Sequence, residues 1–181
     1  GEAAKITAGA LLRGARGNSG VILSLLFRGL SKSVKGLTDM DGAQLAAAMA
    51  EGVTTAYGAV MKPAEGTVLT VSRLAAARAV EAAQENPSAE YVLEQAIAAG
   101  YETLAQTIEM NPVLKKAGVV DAGGKGYLII LDGMLRALRG EALPQVEEDG
   151  EKDQDKADFG ALSLEDITFT YDTVFIVRKR D

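Results

Sequence analysis

Three short stretches of this chain set glycine beside hydroxyl, amide or carboxylate side chains directly ahead of an apolar helical run. They are Arg13-Gly14-Ala15-Arg16-Gly17-Asn18-Ser19-Gly20, Glu65-Gly66-Thr67 and Asp121-Ala122-Gly123-Gly124. The first turn of a helix carries unpaired N–H groups and the positive end of the helix dipole, so each stretch is a candidate cradle for an anion. Each also has an ordinary reading taken alone: Gly20, Gly66 and Gly124 as turn or close-packing glycines, and Asn18, Ser19 and Thr67 as helix caps. Arg13, Arg16 and Lys125 lie near enough along the chain to reach a phosphate, and read equally well as solvated charges on helix ends.

Apolar periodicity predicts the helices that must position these turns. They run over about 3–13, 19–34, 43–61, 67–84, 89–110 and 124–138, with a short helical turn after Asn111-Pro112. Asp39 or Asp41 caps the third, Pro63 ends it, and Asn86-Pro87-Ser88 separates the fourth from the fifth. Short connections favour antiparallel neighbours in an up-down array. If the helix from Ser19 runs down, those from Thr67 and Gly124 run down as well. Parity alone therefore puts all three glycine turns at one end of an all-α bundle or barrel.

Composition narrows the chemistry. The 181 residues include no cysteine and no histidine, which removes thiolate nucleophiles, imidazole bases, disulfides and the usual zinc ligands. A metal here would be a hard cation held by oxygen. Abundant alanine and leucine with few aromatics favour packed helices. The net charge of -6 argues against nucleic acid as a ligand. No apolar stretch reaches the roughly 20 residues of a membrane span, so a cytoplasmic protein is the expectation.

That net charge is localised. Residues 141–158 hold eight acidic side chains against Lys152 and Lys156, and the remainder carries seventeen of each sign. Residues 141–166 read as a solvated acidic linker, and residues 1–140 as one helical domain. Residues 167–181, with Ile-Thr-Phe-Thr-Tyr-Asp-Thr-Val-Phe-Ile-Val, have strand-like density. One strand leaves its edges unpaired, so this segment is expected to open a further domain or to pair between copies, as in a homodimer. The start at Gly1, without methionine and already in a helical pattern, suggests a cut end.

Three converging helix N-termini with hydroxyls at their edges suit a polyphosphate. The Gly-x-x-x-x-Gly-Lys-Ser/Thr loop and the strand-turn-helix setting of a dinucleotide site are both missing, so neither a P-loop nor a Rossmann protein is indicated. Phosphoryl transfer also needs Mg²⁺, usually held by carboxylates. No convincing carboxylate cluster is visible: Asp39 and Asp41 fall at the opposite end by parity, and Asp121 stands alone.

The stretches 14–24, 65–71 and 118–126 together resemble the nucleotide-binding motifs of the dihydroxyacetone kinase L-subunit family, and most closely its bacterial fatty acid kinases. The resemblance covers roughly residues 3–140, with the three motifs in order and at similar spacing. It implies a helical barrel binding ATP at one rim. There Asn18, Ser19 and Gly20 would contact phosphate, Thr67 and Val68 would line the nucleotide pocket, and Asp121, Ala122 and Gly123 would close it.

In that family an aspartate-rich Pro-Asp-Gly-Asp-Thr-Gly-type loop on the N-terminal side holds the Mg²⁺ ions, and this sequence has no such loop. The resemblance therefore assigns no metal ligand here and implies that this chain alone is inactive. Its kinases continue past an acidic linker into a domain opening with a Tyr-Cys-Thr-Glu-like strand, where this chain has Tyr171-Asp172-Thr173-Val174. Asp172 and Val174 depart from that pattern.

The function so implied is an ATP- and Mg²⁺-dependent kinase acting on a fatty acid held by a separate fatty-acid-binding protein. The chain offers no nucleophile or base, which fits catalysis by positioning and charge neutralisation. The alternative is a nucleotide-binding regulatory or scaffold module without chemistry of its own.

Overall fold

A computed structural model describes residues 1–142. The strand over 167–181, and the linker beyond Ala142, lie outside the described residues. Seven helices make up the described part: α1 (Glu2–Gly14), α2 (Gly17–Ser33), α3 (Gly42–Ala59), α4 (Val68–Glu85), α5 (Ala89–Met110), α6 (Pro112–Ala117) and α7 (Ala122–Leu138). Among the described residues there is no strand, and the packing is that of a helical bundle.

Local chemistry starts most of these helices. Asp41 and Gln44 form a reciprocal capping box on α3, with the Gln44 N–H donating to Asp41 Oδ1 at 2.8 Å and the Asp41 N–H donating to Gln44 Oε1 at 3.0 Å. Thr67, Ser88, Asn111 and Asp121 cap α4, α5, α6 and α7 through their side chains. α1 and α2 have no side-chain cap; of these, α2 follows a turn read from the sequence as capped. It begins at Gly17, two residues before the expected start, because Gly17 takes a positive φ of 68° and the chain turns there instead of at a side-chain cap. α3 stops at Ala59 instead of about Met61, since Val60 is already extended ahead of the turn at Pro63.

The array is sequential. α2 packs on α1 and α3, α4 packs on α3 and α5, and α7 lies against α5 and α4. The core is built from small and branched residues: Val68, Leu69, Val71, Ala75, Ala76, Ala79 and Ala82 of α4 face Val92, Leu93, Ala96 and Ile97 of α5 and Leu128, Leu131 and Leu135 of α7. α1 contributes only Ala8 as a buried residue. At the end of α7, Arg139 donates from Nε to Glu90 Oε1 at 2.8 Å and from Nη2 to Glu94 Oε1 at 2.9 Å, joining it to the start of α5.

The α2–α3 crossing is set by glycine. A Cβ on Gly29 would lie 2.4 Å from the Glu51 carbonyl oxygen and 2.6 Å from the Gly52 Cα, and one on Gly52 would lie 2.6 Å from the Leu26 carbonyl oxygen. Backbone meets backbone at this point, and neither side can yield by changing a rotamer. Gly29→Ala is therefore expected to lower stability by about 1–3 kcal/mol, the usual cost of overpacking. Gly133→Ala in α7, whose added Cβ meets nothing within 4 Å, is expected to be neutral or stabilising. Denaturant midpoints of the two variants test the contrast.

Candidate functional site: a rim of three helix N-termini

The structure brings the three turns together. A Cβ built on Gly123 would lie 3.2 Å from Ser19 Oγ, 3.3 Å from Val68 Cβ and 3.2 Å from Asp121 Oδ2. One point thus touches α2, α4 and the start of α7. These residues are about 50 apart in sequence at each step, and the shared direction of the three helices, as parity requires, is what brings them to one rim.

The three N-termini are not equivalent. On α4, the Thr67 hydroxyl accepts the Leu69 N–H at 3.4 Å and donates to the Ala64 carbonyl at 2.8 Å. On α7, Asp121 Oδ2 accepts the Gly124 N–H at 2.6 Å, and the Val68 N–H of α4 lies near enough to favour the charged form of the same carboxyl. No side chain caps α2, where Asn18 and Ser19 stand exposed in the first turn. Ala122 is exposed beside them, whereas Val68 is buried and belongs to the wall of the rim. Gly20 sits behind the turn, with its added Cβ 3.1 Å from Ala15 Cα. Arg16 turns back on its own loop, donating to the Ala15 carbonyl at 3.1 Å and the Gly14 carbonyl at 3.4 Å.

Burial pushes the half-buried Asp121 carboxyl above the ordinary aspartate range, against the lowering effect of the Gly124 and Val68 N–H groups. The carboxylate remains hydrogen-bonded to the first turn of α7, so it is both well held and partly sheltered from water.

Several supporting residues were not singled out from the sequence. Thr107 of α5, fully buried, accepts the Asp121 N–H at 3.1 Å and donates to the Leu104 carbonyl at 2.6 Å. Its signal was a hydroxyl on an otherwise apolar stripe. Thr70, one turn into α4, accepts the Gly66 N–H at 2.9 Å and donates to Glu65 Oε2 at 2.8 Å. Arg73 donates to the same Glu65 oxygen at 2.8 Å and to the Tyr57 hydroxyl at 3.1 Å. Gly66 itself has φ of 73° and lies against Met110 and Asn111 at the end of α5, so it serves the turn and a close approach at once.

A groove of about 820 Å³ lies elsewhere. It runs between α1 and α2, floored by Ala8, Leu12 and Leu25 and edged by Lys5, Arg28, Lys32 and Lys35, and it includes none of the rim residues. Among the described residues no group of three or more acidic side chains is placed to hold a metal. No described helix is long and apolar enough to cross a membrane.

With this geometry in place, comparison with known proteins gives the class. The DAK2 domain family matches residues 1–136, and the chain belongs to it, a family of the dihydroxyacetone kinase L-subunit type. Uncharacterized proteins of Staphylococcus aureus strains bovine RF122 / ET3-1, USA300 and COL are each 44% identical to the chain over 182 residues, covering 98% of it. The chain spans 33% of the length of these relatives.

The Thr70 hydroxyl first, and then the Arg73 guanidinium, hold the Glu65 carboxyl below its ordinary value of 4.5. A carboxyl whose folded value is depressed stabilises the fold above its unfolded value, and the contribution is lost as pH falls through the folded value. Glu65→Gln is accordingly expected to destabilise the chain at neutral pH, by a modest amount because the pair is largely exposed. The difference from the unsubstituted chain should shrink toward zero as the solution is acidified below about pH 4. Urea denaturation of both proteins across this range checks the sign.

Proposed function

We propose that this chain is the ATP-binding domain of a kinase that transfers phosphate from ATP, with Mg²⁺, to a fatty acid carried by a partner protein. The observation that carries the nucleotide reading is the meeting of Ser19, Val68 and Gly123 at one point beside an α2 N-terminus that no side chain caps. Exposed first-turn N–H groups, a hydroxyl at the edge and a glycine without side chain leave room for phosphate oxygens to approach backbone donors closely. Membership of the DAK2 domain family supports the same reading.

The roles proposed are those that the family resemblance implies. Asn18 and Ser19, with the α2 backbone around Gly20, bind phosphate; Thr67 and Val68 form the wall for the rest of the nucleotide; Asp121, Ala122 and Gly123 close the rim. The described residues supply no nucleophile and no metal cluster, so their part in the reaction is to bind and orient ATP. Mg²⁺ ligation, the acyl substrate and the partner belong to the whole protein. The second reading is a nucleotide-binding regulatory or scaffold module without chemistry of its own.

Calorimetric titration with ATP tests the site. The unsubstituted chain should bind, and Ser19→Arg combined with Thr67→Arg, which fills the rim with two long side chains, should weaken binding by at least about tenfold, or 1.4 kcal/mol. Unchanged affinity in the folded double variant would remove the rim from consideration. Phosphorylation of acyl substrate by the full-length protein and its partner, measured with and without the same substitutions, separates the kinase from the module.

A further inference from the structure

We propose that Asp121 couples anion binding at the rim to proton uptake, because its carboxylate already occupies a first-turn donor of α7 beside Ser19 of α2, where a phosphate would approach. The inference rests on the nucleotide reading of the rim and extends it to regulation by pH. Gly124 donates to Oδ2 at 2.6 Å, while Ser19 Oγ and Asp121 Oδ2 lie within 3.2 Å of one point over Gly123. A ligand reaching Ser19 therefore comes close to a carboxylate of its own sign in a poorly hydrated setting, where like charges raise the affinity of the carboxyl for a proton.

The groups around Asp121 leave few other ways to relieve that repulsion. From α2 it meets the neutral Ser19 hydroxyl, from α4 the Val68 backbone, and from α5 the Thr107 hydroxyl, which holds its N–H at 3.1 Å. Burial and these backbone donors account for its environment, with no charged side chain among the contributions. Of the ionisable residues in the three turns, Glu65 is held by Thr70 and Arg73, Arg16 donates to carbonyls of its own loop, and Lys125 follows on the first turn of α7. When the ligand binds, a proton from solvent is added to the carboxylate. The resulting carboxyl donates its O–H to a ligand phosphate oxygen and keeps an oxygen for the Gly124 N–H.

The test is calorimetric titration of the chain with ATP in pairs of buffers that differ in ionisation enthalpy, between about pH 5.5 and 7.5, for the unsubstituted chain and Asp121→Asn. The unsubstituted chain should take up more protons per ATP than the variant, and its affinity should fall by up to about tenfold per pH unit relative to Asp121→Asn. Comparison with the variant cancels protons that ATP itself gains or loses. A second measurement needs no substitution: the side-chain carboxyl ¹³C resonance of Asp121 should move to its protonated position as ATP is added. ATP binding with equal proton uptake in both proteins and an unmoved resonance would overturn the role of Asp121 and leave the nucleotide site standing. Failure of the folded, unsubstituted chain to bind ATP would remove both.

Discussion

Three helices aim their N-termini at one rim, and the fold must tolerate three positive dipole ends side by side. Such ends repel one another, and each also leaves backbone donors to be satisfied. Asp121 answers both demands for two of the three. Its carboxylate accepts a backbone N–H of α7 and lies close to that of Val68 at the head of α4, so a single negative charge offsets two partial positive ones. α5 supplies the footing: Thr107 fixes the Asp121 backbone, and the end of the same helix, at Met110 and Asn111, backs the turn at Gly66. The turn at the head of α2 receives no such help, which is why it alone stays open.

Stability is distributed unevenly around this rim. α4 is buried along most of its inner length, and α5 and α7 close over it with a continuous apolar seam. α1 lies along α2, but Ala8 is its one buried residue, and it leaves Ile6 and Leu12 largely exposed. Segments with few buried contacts open at lower free energy than the core. The turn from Gly14 to Gly17 therefore has one firm wall, α2, and one weakly held one, α1.

Much of this architecture was legible in the sequence because it depends on periodicity and punctuation. The seven helical segments follow from apolar spacing and from Pro63, Pro87 and Pro112, and the shared end of the three turns follows from counting antiparallel steps. The start of α2 was read two residues late because the reading looked for a polar cap at Asn18 or Ser19, and this helix has none. The links made by Asp121, Thr107 and Thr70 across helices were not legible, since one-dimensional spacing does not reveal which hydroxyl in an apolar stripe meets which backbone amide. Val68, a bulky apolar residue, gave no sign that its backbone would serve the carboxyl of a residue more than fifty positions away.

α5 and α7 are fastened to each other at both ends by bonds of different kinds. At the rim the fastening is the short, sheltered contact of Thr107 with the Asp121 backbone; at the base it is the two-pronged grip of Arg139 on Glu90 and Glu94, which lies open to solvent. Mechanically the pair is a beam pinned at both ends and again at its middle, where the Tyr101 hydroxyl of α5 donates to Asp132 of α7, and only the base pin is an ion pair. Dissolved salt screens exposed charge pairs far more than it affects sheltered neutral hydrogen bonds. Ionic strength therefore acts on this beam as a one-sided release, easing the base while the rim keeps its alignment.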